Sequence, residues 1–491
     1  MGVRNGLDAV GHGRRDRGHL RTRDLTSRRP LLAVVLLGAV FLTTFVAGAS
    51  AVAMPQIGSA LRLSFATALL VQAAQVLAAT LVLVPAGRVS DAHGRKRLLF
   101  IGLVLFVLSS LAAAVAPSAW VLVAARLGQG VAGALIAATN QAMLVMLFPA
   151  AERGRAVGMN VVAVYIGVSL GPVVGGLLTA AFGWRSVFGA TALIALVLTV
   201  AVPLLRWPAD PREPGRGIDL RGSLLLAGAL GPAMVAFTYA PLWGYGSPAT
   251  LVLGAVSCVS LALFFLTERI TVDPVLDLRL LRPRSLFGNA ALTTLLYALS
   301  HYAVPLLVSL DLQLVRGRSA VVAGLVLVVQ PIAMAGLTPL FGRSFDRAGS
   351  RILVPGGLAA AALALVGLAL TAESGPIIVV ALSLGLLGAG MAAFSTPNEA
   401  AALGALPADR FATAGAILAA ARNSGQFLSL AILGAVAASH LDRAGQRALL
   451  LRGASHATLT GFGTGLRPAL LVAAAASAVG ALVAFARPRS S

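Results

Sequence analysis

The chain has 491 residues, of which 58% are hydrophobic and 11% are charged, and its formal net charge is +21. A soluble protein would carry about 25% charged residues, so this composition excludes a soluble globular protein and indicates many membrane crossings. The single cysteine, Cys258, excludes an intramolecular disulfide and a cysteine-based metal site. The basic residues lie between apolar stretches, which indicates membrane topology rather than nucleic-acid binding.

The first 29 residues contain eight Arg, three Asp and no apolar stretch. They lack the apolar core of a secretory signal peptide, so we predict a disordered basic arm over 1–29. Binding of this arm to lipid or nucleic acid is the minor alternative.

Fourteen apolar stretches follow, each long enough to cross a bilayer as a helix. They cover roughly 31–54, 66–86, 98–116, 119–141, 155–180, 185–206, 220–240, 249–267, 286–310, 320–341, 352–371, 376–397, 411–438 and 467–486. The alternation typical of β-barrel strands is absent, so the predicted fold is all-α with fourteen transmembrane helices. An even number places both termini on one side, and 28 Lys and Arg residues share that side against eight opposite. We therefore predict a protein of the cell membrane with both termini cytoplasmic.

A polar segment between spans 2 and 3 occurs twice in the chain. It reads Gly87 Arg88 Val89 Ser90 Asp91 Ala92 His93 Gly94 Arg95 Lys96 Arg97. Glycine permits tight turns there, and Asp91 can accept hydrogen bonds from the next helix or pair with an arginine. A second copy, 342–351, follows span 10 as G-R-x-x-D-x-x-G-x-K/R and includes Asp346 and Arg347. The repeat predicts two equivalent six-helix halves, and we expect these two loops to fasten the halves on the cytoplasmic side.

Spans 7 and 8 are then an inserted pair. The predicted divisions are the arm 1–29, a six-helix bundle over 30–206, an inserted segment over 207–284, a second six-helix bundle over 285–486 and a tail over 487–491. Linkers rich in proline and charge flank the inserted pair, which favours these boundaries.

Two predicted helices, spans 4 and 5, carry candidate functional motifs. Span 4 contains Arg126, and a buried guanidinium is costly in hydrocarbon, so we expect it to face a wet cavity or a partner; snorkelling to the surface is the alternative. Span 5 carries a string of small residues and a proline, Gly167, Gly171, Pro172, Gly175 and Gly176. The glycine spacing of four forms a stripe that allows close helix packing, and the proline bends the helix. Ordinary small-residue packing is the simpler interpretation of the stripe.

Other polar residues within spans are candidates for the substrate cavity or for proton transfer. The cavity candidates are Gln72, Asn140, Asn160 and Arg422. His301 lies near the middle of span 9, and an unperturbed imidazole titrates near pH 6.5, so it is a candidate proton carrier; a packing role is the alternative. Asp311 follows at the outer end of the same helix. By our boundaries no acid lies deep in a span, and Glu399 is predicted to be solvated at the cytoplasmic edge.

These motifs resemble those of the major facilitator superfamily. The loop at Asp91 resembles its signature G-x-x-x-D-x-x-G-R-K/R, the string at Arg126 its fourth-helix R-x-x-Q-G, and the span-5 string its exporter motif. Together they resemble the fourteen-span drug:proton antiporters, in which the fourth-helix Arg is linked to proton transfer. Three positions depart from that branch: Ala92 replaces Arg, Val46 and Ala51 replace the first-span Asp and Asn, and Asp311 replaces an aromatic residue.

The resemblance implies a secondary active exporter of small amphipathic molecules, driven by protons and working as a monomer without a cofactor. Uptake or facilitated transport of a metabolite, and a non-transporting membrane sensor, remain as alternatives. A P-loop, H-E-x-x-H and G-x-S-x-G are absent, so the sequence predicts neither ATP-driven transport nor a common hydrolase.

Overall fold

A computed structural model describes residues 8–149, 152–208, 219–271, 285–406, 411–451 and 453–487. Within these ranges, the side chains of 8–28, 153, 154, 157, 220, 345–348, 411–413 and 416 are left undescribed. All regular structure in this part of the chain is helical. The apolar composition and the need to satisfy backbone groups within each segment in lipid explain this architecture.

The N-terminal half consists of six helices. They are α1 (Asp8–Leu61), α2 (Phe65–His93), α3 (Arg95–Ala114), α4 (Ala119–Leu147), α5 (Arg153–Phe182) and α6 (Arg185–Leu204). The helix α1 begins within the arm that the sequence analysis assigned to disorder, and its membrane-crossing part starts at Arg29. The inserted pair is α7 (Leu220–Trp243) and α8 (Pro248–Ile270).

The C-terminal half contains the remaining helices. They are α9 (Leu286–His301), α10 (Val304–Leu310), a π-helical turn (Asp311–Val315), α11 (Ala320–Leu327), α12 (Val329–Ala348), α13 (Ser350–Thr371), α14 (Ile377–Gly404), α15 (Phe411–Ala438), α16 (Arg443–Ala448) and α17 (His456–Phe485). The last helix begins eleven residues before the predicted span 14, so the stretch around Arg467 is helical and not part of a loop.

Thirteen helical stretches among the described residues are long and apolar enough to cross a membrane. They correspond to thirteen of the predicted spans, with α9, α10 and the π-helical turn forming one stretch, Leu286–Val315. The helix α15 coincides with the predicted span 411–438 but is not among the thirteen. The number fourteen stays a prediction, whereas the many-span helical fold is confirmed.

The two halves repeat one packing scheme. In the N-terminal half, α1 packs on α5, α2 and α3 pack on α4, and α3 packs on α6. The same scheme recurs as α9 on α15, α12 and α13 on α14, and α13 on α17. This correspondence is the structural form of the parallel repeat that the two loops predict.

The halves meet at one end of the molecule. We call this end, where α1 ends at Leu61 and α11 begins at Ala320, the closed end. We call the opposite end, which contains the turns at Gly94 and Gly349, the repeat end. At the closed end Gln313 Nε2 donates a hydrogen bond across the halves to the Val52 carbonyl (2.9 Å). The helices α5 and α11 also approach closely there, because a Cβ added to Gly176 would lie 2.5 Å from the Ala320 carbonyl oxygen. These contacts join the halves at the closed end.

The inserted pair lies against both halves. The helix α7 packs on α2 and on α15, and the Tyr239 hydroxyl lies 3.0 Å from the Thr67 hydroxyl of α2. By contrast, only 6% of the most apolar 18-residue stretch of α8 is buried, so this helix faces lipid almost entirely. Cys258 lies on α8 and is exposed.

Candidate transport site between the two halves

Arg126 belongs to α4 and is fully buried. Its side chain is 1% exposed, which excludes snorkelling to the surface. Its Nη1 donates to Gln129 Oε1 (2.9 Å), its Nη2 to Gln72 Oε1 (3.0 Å) and its Nε to the Val71 carbonyl (3.3 Å). The guanidinium thus has partners, as expected, and all of them are amide oxygens rather than carboxylates.

The two glutamines extend this arrangement to two further helices, α1 and α3. Ser50 of α1 donates to Gln72 Oε1 (3.1 Å), and Gln129 Nε2 donates to Ser110 of α3 (3.0 Å). We call this set of hydrogen-bonded side chains the arginine network; it links α1, α2, α4 and α3 and consists of Ser50, Gln72, Arg126, Gln129 and Ser110. Because Gln72 is 6% exposed and committed to Arg126, its side chain belongs to the bundle interior rather than to the passage.

An aromatic cluster lies on the facing half. The rings of Tyr297 and Phe394 stack with centroids 4.4 Å apart, and the His301 ring lies 4.2 Å from Tyr297. His301 Nδ1 is 2.6 Å from the Tyr297 carbonyl, four residues earlier in the chain. The Tyr297 hydroxyl is buried and has no hydrogen-bond partner among the described residues. It interacts electrostatically with Tyr165 of α5, so the cluster faces the N-terminal half.

An ion pair completes this side of the passage. Arg422 Nη2 of α15 contacts Glu399 Oε1 of α14, and the side chains are 43% and 47% exposed. Both charges interact electrostatically with Tyr297, and Arg422 also acts on His301. The sequence analysis placed Glu399 beyond span 12, but α14 continues through Pro397 to Gly404, so this acid lies within the helix. We call Tyr297, His301, Phe394, Glu399 and Arg422 the chamber cluster.

Arg487 was not singled out by the sequence, yet it supports the same region. It is 2% exposed, and its guanidinium donates to Asn289 (2.7 Å), to Thr293 (3.2 Å) and to Asn398, the residue before Glu399. Burial lowers the pKa of Arg487 to about 10, so the group stays protonated at neutral pH. Its cation fixes α9 against α14 next to the ion pair.

The remaining candidates lie apart from the chamber cluster. Asn140 donates to Asn160 Oδ1 (2.8 Å) between α4 and α5, nearer the repeat end. Asp311, 3% exposed, pairs with Arg316 (2.7 Å) at the closed end, and Arg316 also donates to the carbonyls of Gly375 and Thr371. Neither pair includes His301, which interacts with Arg422, whereas Arg126 interacts with Tyr302, the next residue along the chain.

The first copy of the repeated loop is a tight turn around Gly94. This glycine has φ +98°, a conformation that side chains rarely adopt, and it alone separates α2 from α3. Asp91, half exposed, accepts a hydrogen bond from Arg95 Nη2 (3.0 Å), and Arg95 Nη1 contacts the Met146 sulfur (3.1 Å). The side chains of Asp346 and Arg347, in the second copy, lie outside the described residues.

The glycine stripe of α5 packs against two helices. A Cβ at Gly171 would lie 2.7 Å from the Phe45 carbonyl oxygen, and one at Gly175 would lie 2.5 Å from the Ala49 Cα, so α1 approaches closely. The neighbouring face of α5, at Gly176, contacts α11 of the other half, because a Cβ at Gly176 would lie 2.5 Å from the Ala320 carbonyl oxygen. Gly176 therefore lies at the contact between the halves near the closed end.

We expect Gly176→Ala to open the closed end, because its methyl group cannot fit against the Ala320 carbonyl while α5 and α11 are in contact. The measurement is the rate at which a membrane-impermeant maleimide labels Ala323→Cys, which is fully buried in this structure, in a Cys258→Ser background. Faster labelling than in the parent is the expected result. Gly189→Ala is the matched control because its Cβ would meet nothing within 4 Å. Equal labelling rates in both variants would contradict the prediction.

The sequence and the fold both have known relatives. The profile described as Major Facilitator Superfamily matches residues 36–430. "Multidrug resistance protein Stp" of Mycobacterium tuberculosis is 34% identical over 385 residues, which cover 76% of this chain and 71% of Stp. "Riboflavin transporter RibZ" of Clostridioides difficile is 26% identical over 80% of this chain and 84% of its own length. A bacterial homolog of the human lysosomal transporter Spinster, in an inward-facing and unoccupied conformation, superimposes with a TM-score of 0.67, 15% identity and coverage of 93% and 96%.

Proposed function

The chain belongs to the Major Facilitator Superfamily and is therefore a many-span membrane transporter of small molecules rather than an enzyme; on this premise we propose that it is a proton-coupled exporter of amphipathic, drug-like molecules. The observation that carries the proposal is the chamber cluster, in which stacked aromatic rings lie beside a half-exposed ion pair. Such a surface suits a planar, partly charged molecule. The orphaned Tyr297 hydroxyl offers it a hydrogen bond. The likeness to a multidrug resistance protein supports export.

In the proposed orientation both termini and the repeat end face the cytoplasm, and the chain works as a monomer. The 28-to-8 distribution of basic residues supports the orientation. The structure then corresponds to the state that accepts substrate from inside. We propose that Asp91 and Asp346 fasten the repeat end in the opposite state, in which the closed end has opened.

The energy source in this proposal is the exchange of substrate for protons at the chamber cluster. Glu399 is the acid that faces the passage, and it forms an ion pair with Arg422. A substrate that binds the ionised pair more tightly than the protonated form would oppose proton uptake by Glu399, and protonation of Glu399 from the outer side would in turn favour substrate release. Coupling at this pair replaces the first-span acid that the sequence lacks at Val46.

Transport into everted membrane vesicles tests the function. In such vesicles an exporter moves substrate into the lumen, and an acidic lumen should drive it. Three aromatic dyes are tested, one cationic, one neutral and one anionic. We expect the vesicles to accumulate at least one of them, and we expect an acidic lumen to stimulate this accumulation and a protonophore to abolish it. Accumulation that ignores the gradient would contradict proton coupling, and no transport of any dye would contradict drug export.

Vitamin uptake is the second candidate, because the RibZ relative is a riboflavin transporter by its name. The isoalloxazine ring is planar and polar, so it suits the same aromatic cluster. Right-side-out vesicles that accumulate riboflavin but no dye would favour this candidate over drug export.

We expect His301→Asn to reduce the stimulation by the pH gradient without removing it, since Asn keeps a polar side chain near Tyr297 but cannot carry a proton at these pH values. Glu399 and Arg422, which interact with the same ring cluster, are unchanged in this variant. The measurement is the ratio of dye accumulation with and without an acidic lumen. If the ratio equals that of the parent protein, His301 only packs against Tyr297.

A further inference from the structure

A groove at the repeat end lies outside the passage between the halves. Its volume is about 550 Å³, and it is lined by His93, Lys96 and Arg97 around the α2–α3 turn, by Phe100 of α3 and by Val202 and Pro203 of α6. All of these residues belong to the N-terminal half, so the groove is not part of the chamber between the two halves.

Among the described residues, no acid neutralises the charge of this groove. Neither Lys96 nor Arg97 forms an ion pair with any residue in the described ranges, and Arg97 is exposed. The neighbouring acid, Asp91, is paired with Arg95. Two cations beside an open cavity favour an anionic ligand.

The surroundings of the groove identify the kind of anion. Phe100 and Ile101 of α3 are 37% and 44% exposed, and Val200 and Leu204 of α6 are 52% and 72% exposed. These apolar faces flank the groove on membrane-crossing helices, so they lie against acyl chains. The groove is thus basic at the polar turn and apolar along the helices, which matches a headgroup joined to its chains.

We propose that this groove is a binding site for an anionic phospholipid, with the phosphate on Lys96 and Arg97 and an acyl chain over Phe100, Val202 and Pro203. The site is distinct from the proposed transport site and does not depend on the substrate. Its ligand contacts the turn at Gly94, next to the Asp91–Arg95 pair. In the proposed orientation the lipid comes from the cytoplasmic leaflet.

Native mass spectrometry of the purified full chain tests the site. The protein in detergent is titrated with phosphatidylglycerol or with phosphatidylcholine of the same acyl chains, and separately with excess inorganic phosphate. We expect retention of one phosphatidylglycerol in preference to phosphatidylcholine. The variant Lys96→Gln/Arg97→Gln should weaken phosphatidylglycerol binding by up to about thirtyfold, because each basic residue near a membrane surface contributes roughly a fivefold effect.

The second copy of the loop provides the matched control. Arg343→Gln/Arg351→Gln removes the same charge at the equivalent turn and should leave the binding unchanged. Three results would each overturn the proposal: equal binding of both lipids, an equal loss of phosphatidylglycerol binding in both double variants, or displacement of the lipid by inorganic phosphate. If the first double variant fails to fold, the single Arg97→Gln change, at an exposed side chain, replaces it and should weaken binding by about fivefold.

Discussion

Replacement of Glu399 by glutamine should uncouple transport from the pH gradient. The side chain is half exposed in the passage and pairs with Arg422, so it is the acid of α14 that can exchange a proton with the chamber. Glutamine keeps the shape and a hydrogen-bond acceptor for Arg422 but cannot be protonated. We expect dye accumulation in everted vesicles to lose its stimulation by an acidic lumen, while dye binding to the purified protein is retained.

The control separates loss of coupling from loss of charge. Glu152→Gln removes an equal charge at an exposed position before α5 and should leave the stimulation intact. The double variant Glu399→Gln/Arg422→Gln completes a double-mutant cycle, and its stimulation should equal that of Glu399→Gln alone if the two residues act as one unit. Stimulation of Glu399→Gln equal to that of the parent protein would refute coupling at this pair.

Removal of the Arg126 guanidinium should have the second large effect. Arg126→Ala removes the guanidinium donor from Gln72, Gln129 and the Val71 carbonyl, leaves Gln129 Oε1 without a donor in the arginine network, and leaves a cavity in a site that is 1% exposed. An orphaned buried acceptor costs about 1 to 3 kcal/mol and a large-to-small change about 2 to 5 kcal/mol, so the total loss of stability should be at least about 3 kcal/mol. We expect a lowered Tm in detergent and no measurable dye transport in vesicles.

The shape of the guanidinium matters here as well as its charge. Arg126→Lys retains the cation but offers a compact ammonium instead of a planar fork, so it cannot donate along all three directions at once. Its Tm should lie between those of the parent and Arg126→Ala. Arg467→Ala, which removes a charge from an exposed position on α17, is the control and should change Tm little. A Tm of Arg126→Ala equal to that of the control would contradict the structural role of the arginine network.

Sequence patterns predicted the features that depend on local composition. Apolar length predicted the spans, and the position of Arg126 within a span predicted that its guanidinium would face a wet cavity or a partner. Patterns could not show that Gln72, from another helix, would turn toward Arg126 rather than toward the substrate, because that choice is made by tertiary packing.

The helix that carries Glu399 extends beyond its predicted end for a specific reason. Pro397 ended the predicted span, since proline disfavours a continuing helix, yet α14 runs through it in this fold. Arg487 was missed because one arginine after the last span is indistinguishable from an ordinary topological charge. In both cases the partner from a distant helix, Arg422 or Asn289, gives the residue its significance.

The arginine network contains no group that changes its charge near neutral pH, and this affects how each half of the molecule responds to acidity. Its acceptors are amides and a backbone carbonyl, which keep their charge state across the physiological range. Apart from Asp91 and His93 in the last turn of α2, the described membrane helices of this half contain no Asp, Glu or His. His301, Asp311 and Glu399 all belong to the other half. Among the described membrane helices, a change of pH would thus act mainly on the C-terminal half, while the arginine network would keep its charge.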